Sequence, residues 1–102
     1  MYKLLMTKKA KKDYEKTKKN GFASKLSKFF DVIEVNPYED TPGHHYEELT
    51  GNLRGIYTRR LDFCNRFAYQ ILPNDEGYAH PDTGEEYEGV VKVINMWGHF
   101  PL

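Results

Sequence analysis

The sequence has little of the chemistry on which secreted and membrane-bound proteins rely. Its one cysteine, Cys64, excludes an internal disulfide and a cysteine-based zinc cluster. No apolar run approaches the roughly 18 residues that a membrane span needs. Residues 1–6 are apolar except for Lys3, but they are too few for the apolar region of a signal peptide and no cleavage site follows them. We therefore expect a cytoplasmic protein without a membrane partner.

Basic residues are scarce over most of the chain. Residues 29–102 hold five Lys and Arg against thirteen acids, and none of the five lies within 73–87. Residues 1–28, in contrast, hold ten lysines against two acids. The formal net charge of zero thus conceals a basic part and an acidic part. A basic surface suits an anionic partner such as nucleic acid, although a lysine-rich solvated helix explains the same composition.

Length and pattern predict one α+β domain that spans residues 1–102. The predicted elements are a strand at 2–6, helices at 8–19 and 22–35, and strands at 55–63, 66–72 and 88–97. Thr7 is the expected N-cap of the first helix. A tight turn at Cys64–Asn65 and a long acidic hairpin extension at 73–87 join the last three strands. This β-α-α-β-β-β order indicates a helical hairpin packed on one face of a mainly antiparallel twisted sheet, with the other face left as a working surface.

Successive arginines in a predicted strand are the least expected feature of the sequence. Because side chains alternate along a strand, Arg59 and Arg60 must lie on opposite faces of the sheet. Together with Arg66 they suit a phosphodiester, since a guanidinium offers a planar fork of donors. Ion pairing with Asp62 or Glu47 fits the sequence equally well. A two-residue turn would place Arg60 and Arg66 on opposite faces, so a shared site requires an odd-length connection or a bulge.

Other polar side chains offer acid–base chemistry. His99 follows the last predicted strand and could act as a general acid, or it could be an ordinary surface histidine. Glu47 could be a general base or a counter-ion of the arginines. His44 and His45 precede it, but neighbouring histidines on an extended loop point in different directions. No second ligand cluster follows them, so we expect no metal site and no cofactor.

Taken together, these residues resemble the YoeB/Txe branch of the RelE/ParE toxin superfamily, small bacterial endoribonucleases of type II toxin–antitoxin systems. The similarity spans most of the chain and implies a RelE-like, microbial-RNase-like fold. Its most specific part is the pattern Asn-Leu-x-Gly-x-x-x-Arg-Arg. The segments that carry the similarity are Asn36-Pro37-Tyr38-Glu39, residues 47–60, Asn65-Arg66-Phe67-Ala68-Tyr69 and His99-Phe100.

The resemblance implies a role for each matching residue. Glu47 would take a proton from a ribose 2′-hydroxyl, Arg66 would stabilise a phosphorane-like transition state, and His99 would protonate the 5′-oxygen. The implied products are a 2′,3′-cyclic phosphate and a 5′-hydroxyl, formed without a metal. The positions that correspond to substrate contacts are Arg59, Arg60, Thr50 and Phe100.

The same resemblance implies partners. Such proteins cleave mRNA on the ribosome, inhibit translation, are restrained by a cognate antitoxin protein, and can form homodimers. Three features depart from the family pattern: Phe100 replaces a tyrosine, Thr50 replaces a lysine, and the 73–87 extension is unusually long. Two alternatives therefore stay open, a ParE-like toxin that binds a topoisomerase, and an interaction module with impaired catalysis.

Overall fold

The computed structural model describes residues 1–40 and 45–100. Apart from a π-helical turn (Lys18–Phe22) and a 3₁₀ turn (Gly51–Leu53), its regular elements are two α-helices and five strands. In chain order they are β1 (Tyr2–Met6), α1 (Lys8–Thr17), α2 (Ala23–Val35), β2 (Glu47–Glu48), β3 (Ile56–Arg60), β4 (Arg66–Leu72) and β5 (Gly89–Asn95). The α+β class and the helical hairpin on a mainly antiparallel sheet are confirmed. The two-residue strand β2 is an addition to the predicted order.

The strands lie in the order β1-β5-β4-β3-β2, so β1 and β2 form the edges. β1 pairs with β5 in parallel, and the remaining neighbours are antiparallel. At the start of the parallel pair, Tyr2 lies opposite Gly89. A Cβ atom at Gly89 would come within 2.9 Å of the Tyr2 ring and 3.0 Å of the Leu72 carbonyl oxygen. Only glycine allows β1 and β4 to approach β5 this closely.

Helix α1 is attached to the sheet by polar contacts rather than by a wide apolar face. Thr7 caps it as predicted, since its hydroxyl accepts a hydrogen bond of 3.1 Å from the Ala10 amide. The buried Asp13 accepts hydrogen bonds from the Met96 amide (3.1 Å) and the Lys9 ammonium (2.6 Å). The Thr17 hydroxyl donates to the Met96 carbonyl at 3.0 Å. These contacts fix α1 against the segment that follows β5.

Helix α2 supplies the apolar layer under the centre of the sheet. Leu26, Phe29 and Ile33 recur at helical spacing and are buried. The ring of Phe29 packs edge-on against Phe67 of β4, with the centroids 5.5 Å apart. Phe67 and the neighbouring inward-facing Tyr69 are fully buried. The core therefore lies between α2 and the central strands.

The connection between β3 and β4 differs from the prediction. β3 ends at Arg60 rather than at residue 63, so five residues, Leu61–Asn65, join the strands instead of a tight two-residue turn. Asp62 is the physical reason, because its carboxylate accepts hydrogen bonds from the amides of Cys64 (2.8 Å) and Asn65 (2.7 Å). The odd length satisfies the condition for a shared arginine site.

Residues 73–87 leave the sheet after β4 and return to β5 as a small hairpin. Ala79 and Glu86 form an antiparallel bridge in it. At its base, the ammonium group of Lys3 in β1 lies 5.8 Å and 5.9 Å from the ring centroids of Tyr78 and Tyr87. The hairpin therefore folds back beside the edge strand β1.

Candidate active site

The register of three strands brings four polar side chains to one face of the sheet. Arg60 of β3 lies directly opposite Arg66 of β4. Thr58 is two residues before Arg60 and is therefore on the same face, and Glu47 of β2 lies directly opposite Thr58. Glu47, Arg60 and Arg66, which lie far apart in the sequence, are thus brought together by strand pairing.

These four residues line a pocket of about 630 Å³. That volume falls within the roughly 300–1,000 Å³ that is typical of small-ligand sites. Helix α2, the segment before β2 and the β3–β4 connection supply the rest of its lining, which consists of Lys25, Phe29, His45, Tyr46, Asp62 and Phe63.

Three cations, Lys25, Arg60 and Arg66, outnumber the two carboxylates that line the pocket, Glu47 and Asp62. Within residues 1–40 and 45–100, no ion pair involves Lys25, Arg60 or Arg66. The Lys25 ammonium donates to the Leu61 carbonyl at 2.5 Å, and the Arg66 guanidinium donates to the Asp62 carbonyl at 3.0 Å. Backbone carbonyls hold these side chains in place, and the pocket keeps an excess of positive charge, which suits an anion.

Asp62, one of the counter-ions considered for the arginines, is occupied by its own loop. Hydrogen bonds from the backbone amides of Asn65 and Cys64 lower the pKa of its carboxyl group. The Asn65 side-chain amide adds further hydrogen bonds of 3.1 Å to both carboxylate oxygens. Asp62 therefore shapes the loop rather than neutralising Arg60 or Arg66.

Arg59 lies on the opposite face of the sheet and does not line the pocket. Only 1% of its surface is exposed. Its Nε donates to the Tyr69 hydroxyl at 3.2 Å, and its Nη2 donates to the carbonyls of Pro37 (3.2 Å) and Glu39 (3.0 Å). The Arg59 side chain in β3 is thus hydrogen-bonded to β4 and to the segment after α2. Its guanidinium is buried away from the pocket.

His99 is positioned through the residue before it. The carbonyl of Gly98 accepts a hydrogen bond of 3.1 Å from the Arg66 amide, and the Gly98 amide donates to the Asn65 side chain at 2.7 Å. Gly98 has a φ of 89°, which favours glycine. The backbone at His99 therefore begins beside Arg66, while the His99 side chain is exposed and does not line the pocket.

The two remaining predicted contacts also lie outside the pocket lining. Phe100 is half-buried next to His99, and Thr50 is exposed between β2 and the 3₁₀ turn Gly51–Leu53. The structure thus gathers Glu47, Arg60 and Arg66, brings the backbone of His99 close to them, and leaves Thr50 apart.

Seven of the ten pocket residues were not predicted as site residues: Lys25, Phe29, His45, Tyr46, Thr58, Asp62 and Phe63. His45 was considered only as a metal ligand. Its Nδ1 lies 2.8 Å from the Asp40 carboxylate, and this hydrogen bond lowers the pKa of Asp40. His44 lies outside the described residues. Among the residues that are described, no three His, Cys, Asp or Glu side chains converge as metal ligands would.

Solved structures share this arrangement of helices and strands. The YoeB/ParE toxin from Agrobacterium tumefaciens matches 96% of this chain and 99% of its own with a TM-score of 0.71 and 20% sequence identity. The chain has the fold of YoeB-type toxins. A YoeB–YefM complex and a YoeB dimer, both from Staphylococcus aureus, match with TM-scores of 0.64 and 0.66, each at 20% identity. They cover 98% and 97% of this chain and 99% and 98% of their own.

The likeness to the YoeB-type toxins is carried by the fold. No protein-family model matches the sequence, and no curated protein sequence matches it either. The fold nevertheless confirms the RelE-like architecture that the sequence motifs indicated. No helix in the described part of the chain has the length and apolar character needed to cross a membrane.

Proposed function

We propose that this protein is the toxin of a type II toxin–antitoxin system and cleaves mRNA on the ribosome in the cytoplasm. The observation that carries the proposal is the opposed pair Arg60 and Arg66, which shares a pocket with Glu47 and has no ion-pair partner among the described residues. Two guanidinium groups next to one carboxylate suit a phosphodiester and the proton beside it.

The proposed reaction needs one base, one acid and a cation at the phosphate. Glu47 takes the proton of a ribose 2′-hydroxyl, and the 2′-oxygen attacks the adjacent phosphorus. Arg66 stabilises the charge that develops on the phosphate oxygens, while Arg60 holds the phosphate. His99 protonates the departing 5′-oxygen. A 2′,3′-cyclic phosphate and a 5′-hydroxyl result; Glu47 then releases its proton to solvent, and His99 regains one from solvent.

The assignment of His99 as the acid is supported by the backbone hydrogen bond between Gly98 and Arg66. Rotation of the exposed His99 side chain can direct its ring toward a phosphate at Arg66. His45 is the natural comparison, because it lines the pocket and is oriented by Asp40. Phe100 and Thr50 stay proposed substrate contacts at the rim, whereas Arg59 is left out because it is buried.

The proposal includes partners of three kinds. The exposed lysines of α1 would contact ribosomal RNA, with the salt dependence that phosphate contacts bring. A cognate antitoxin would cover the pocket, by analogy with the S. aureus YoeB–YefM complex, which has the same fold. A second copy of the chain is a further proposed partner, by analogy with the S. aureus YoeB dimer.

The deciding experiment is primer extension on a translated mRNA after expression of the wild type and three variants, Glu47→Gln, His99→Ala and His45→Ala. We expect new 5′ ends with the wild type and with His45→Ala, and their loss with Glu47→Gln and His99→Ala. Growth arrest with intact mRNA would refute the nuclease and favour a ParE-like toxin. The absence of both arrest and cleavage would favour an interaction module. Cleavage lost with His45→Ala but kept with His99→Ala would transfer the acid role to His45.

A further inference from the structure

Phe63 is an apolar side chain that the fold leaves almost entirely in water. It is 85% exposed and sits in the β3–β4 connection, where it lines the pocket beside Arg60 and Arg66. Scattered exposed apolar residues are ordinary. A large exposed aromatic ring at the mouth of a charged pocket is less ordinary, because a ligand bound by the charges can also pack against the ring.

The position of Phe63 is fixed by its neighbours. The amides of Leu61 and Asp62 donate to the Asn65 carbonyl at 3.0 Å and 3.3 Å, which closes the loop around Phe63. Asp62 accepts from the amides on the far side, and Lys25 ties the Leu61 carbonyl to α2. These hydrogen bonds fix the loop backbone on both sides of Phe63, while the Phe63 ring stays exposed to solvent.

The surroundings of the ring indicate which ligand it fits. Lys25, Arg60 and Arg66 supply positive charge and form no salt bridge among the described residues, which suits a phosphate. Single-stranded RNA offers a phosphate and an unstacked base within one nucleotide. Proteins bind such bases by stacking them on aromatic side chains next to cationic groups that hold the backbone.

We propose that Phe63 is a stacking platform for the base of a nucleotide adjacent to the cleaved phosphate. The inference deepens the proposed function and rests on it. Arg60 and Arg66 hold the phosphate, and the flat face of Phe63 receives the neighbouring base. A phenylalanine ring offers no hydrogen bonds, so this subsite selects for stacking strength and favours purines over pyrimidines.

The test compares wild type, Phe63→Ala and Phe63→Trp for binding to a fluorescently labelled oligoadenylate and to the same backbone with abasic sites. All variants carry Glu47→Gln to prevent cleavage. We expect Phe63→Ala to bind oligoadenylate about 5- to 100-fold more weakly, the range that loss of one stacked base gives. Phe63→Trp should bind at least as tightly as the wild type. On the abasic backbone the three proteins should bind equally.

Val35→Ala is the matched control, since Val35 is an exposed apolar residue (64%) that does not line the pocket. Equal binding by wild type and Phe63→Ala, or an equal loss on the abasic backbone, overturns the inference. So does an unchanged RNA affinity with loss of antitoxin binding, which would make Phe63 a protein contact. If Arg66→Ala weakens RNA binding but Phe63→Ala does not, the inference fails and the proposed function stands.

Binding to free RNA is complemented by cleavage on translating ribosomes, where the single variants keep Glu47. We expect Phe63→Ala to cleave about tenfold more slowly at purine-containing sites and to lose its preference among codons. A cleavage rate within about twofold of wild type at every codon overturns the inference. If no variant and no wild-type protein either binds or cleaves RNA, the proposed function fails together with it.

Discussion

Arg60 and Arg66 face each other across β3 and β4 as a directly opposed pair, and no described residue forms an ion pair with either. Like charges in this position destabilise a sheet by roughly 0.2–1 kcal/mol. An anion bound between the two guanidinium groups relieves that repulsion. The pair therefore favours ligand binding over stability of the free protein.

Substitutions of the two opposed arginines should show that the pair serves activity rather than stability. We expect Arg60→Ala to leave the free energy of unfolding unchanged or to raise it by up to about 1 kcal/mol, because the repulsion is removed. Arg66→Ala should lower the cleavage rate by about 100- to 1,000-fold, as loss of a group that stabilises transition-state charge does. Urea unfolding and single-turnover cleavage measure the two effects. A strongly destabilised Arg60→Ala would mean that the residue has a structural partner.

Arg59 should behave in the opposite way to its neighbour. Arg59→Ala removes a buried guanidinium and its hydrogen bonds to the Pro37 and Glu39 carbonyls, of which, in the described part of the chain, only Pro37 keeps a second donor, the Tyr69 hydroxyl. We expect a loss of about 3 kcal/mol, and hence a fall in Tm of more than about 10 °C. Arg60→Ala is the matched control, one residue away on the exposed face. Equal Tm values for the two variants would contradict the structural assignment of Arg59.

Asp62 should give the β3–β4 connection a dependence on pH. Its pKa is lowered by the amides of Asn65 and Cys64, so the stabilisation is fully present above the ordinary aspartate pKa of about 3.9 and is lost as the pH falls through the lower, folded-state value. We expect Asp62→Ala to lower Tm by a few degrees near pH 7. The difference from wild type should shrink below about pH 4.

Thermal unfolding of the wild type and Asp62→Ala at pH values between about 2 and 8, above and below the ordinary pKa of aspartate, checks this prediction. A Tm difference that stays constant across the range would show that Asp62 acts through something other than its charge. The loop also carries Phe63, and its carbonyls at Asp62 and Phe63 accept hydrogen bonds from the Arg66 guanidinium. Asp62→Ala should therefore slow cleavage as well.

The hairpin at residues 73–87 should act on RNA binding through charge. It contains five exposed acids and no Lys or Arg: Asp75, Glu76, Asp82, Glu85 and Glu86. We expect replacement of the five by Asn and Gln to strengthen RNA binding several-fold at low ionic strength, because repulsion of the phosphates is reduced. The affinities should converge near 1 M salt, where the Debye length is about 3 Å.

Anisotropy titrations with a labelled RNA over a series of salt concentrations measure this effect. Neutralisation keeps the hairpin and its contacts with Lys3, so it separates charge from shape. Weaker binding by the neutralised protein, or a difference that persists at high salt, would show that the hairpin makes direct contacts with the ligand or its carrier.

Most of the fold could be predicted because local signals agreed with it. Thr7 is a good N-cap, α2 repeats its apolar residues at helical spacing, and β4 has the predicted bounds. The β3–β4 connection could not be predicted in detail, because an Asp62 side chain that binds two amides competes with a tight turn. That single difference in length decides whether Arg60 and Arg66 share a face.

The site was predictable to a smaller extent. Sequence motifs pointed to Glu47, Arg60 and Arg66, and they left Arg59 as either a structural or an RNA-facing charge. The distinction depends on which face α2 covers, and that follows from tertiary packing. Phe63 had no signal at all, since an aromatic residue in a strand-like segment is normally buried. His45 had no signal either, because its hydrogen bond to Asp40 cannot be read from the sequence.

The pairing of β1 with β5 has a consequence for how the chain is made. β1 and both helices leave a ribosome early, yet their partner strand, Gly89–Asn95, is synthesised some 85 residues after Tyr2. Contacts that span such a separation form late and slow the folding of a small domain. Gly98, which sets the path of His99, comes later still. Under the proposed function, a newly made copy therefore cannot cleave RNA until His99 has been synthesised, which leaves time for an antitoxin to bind first.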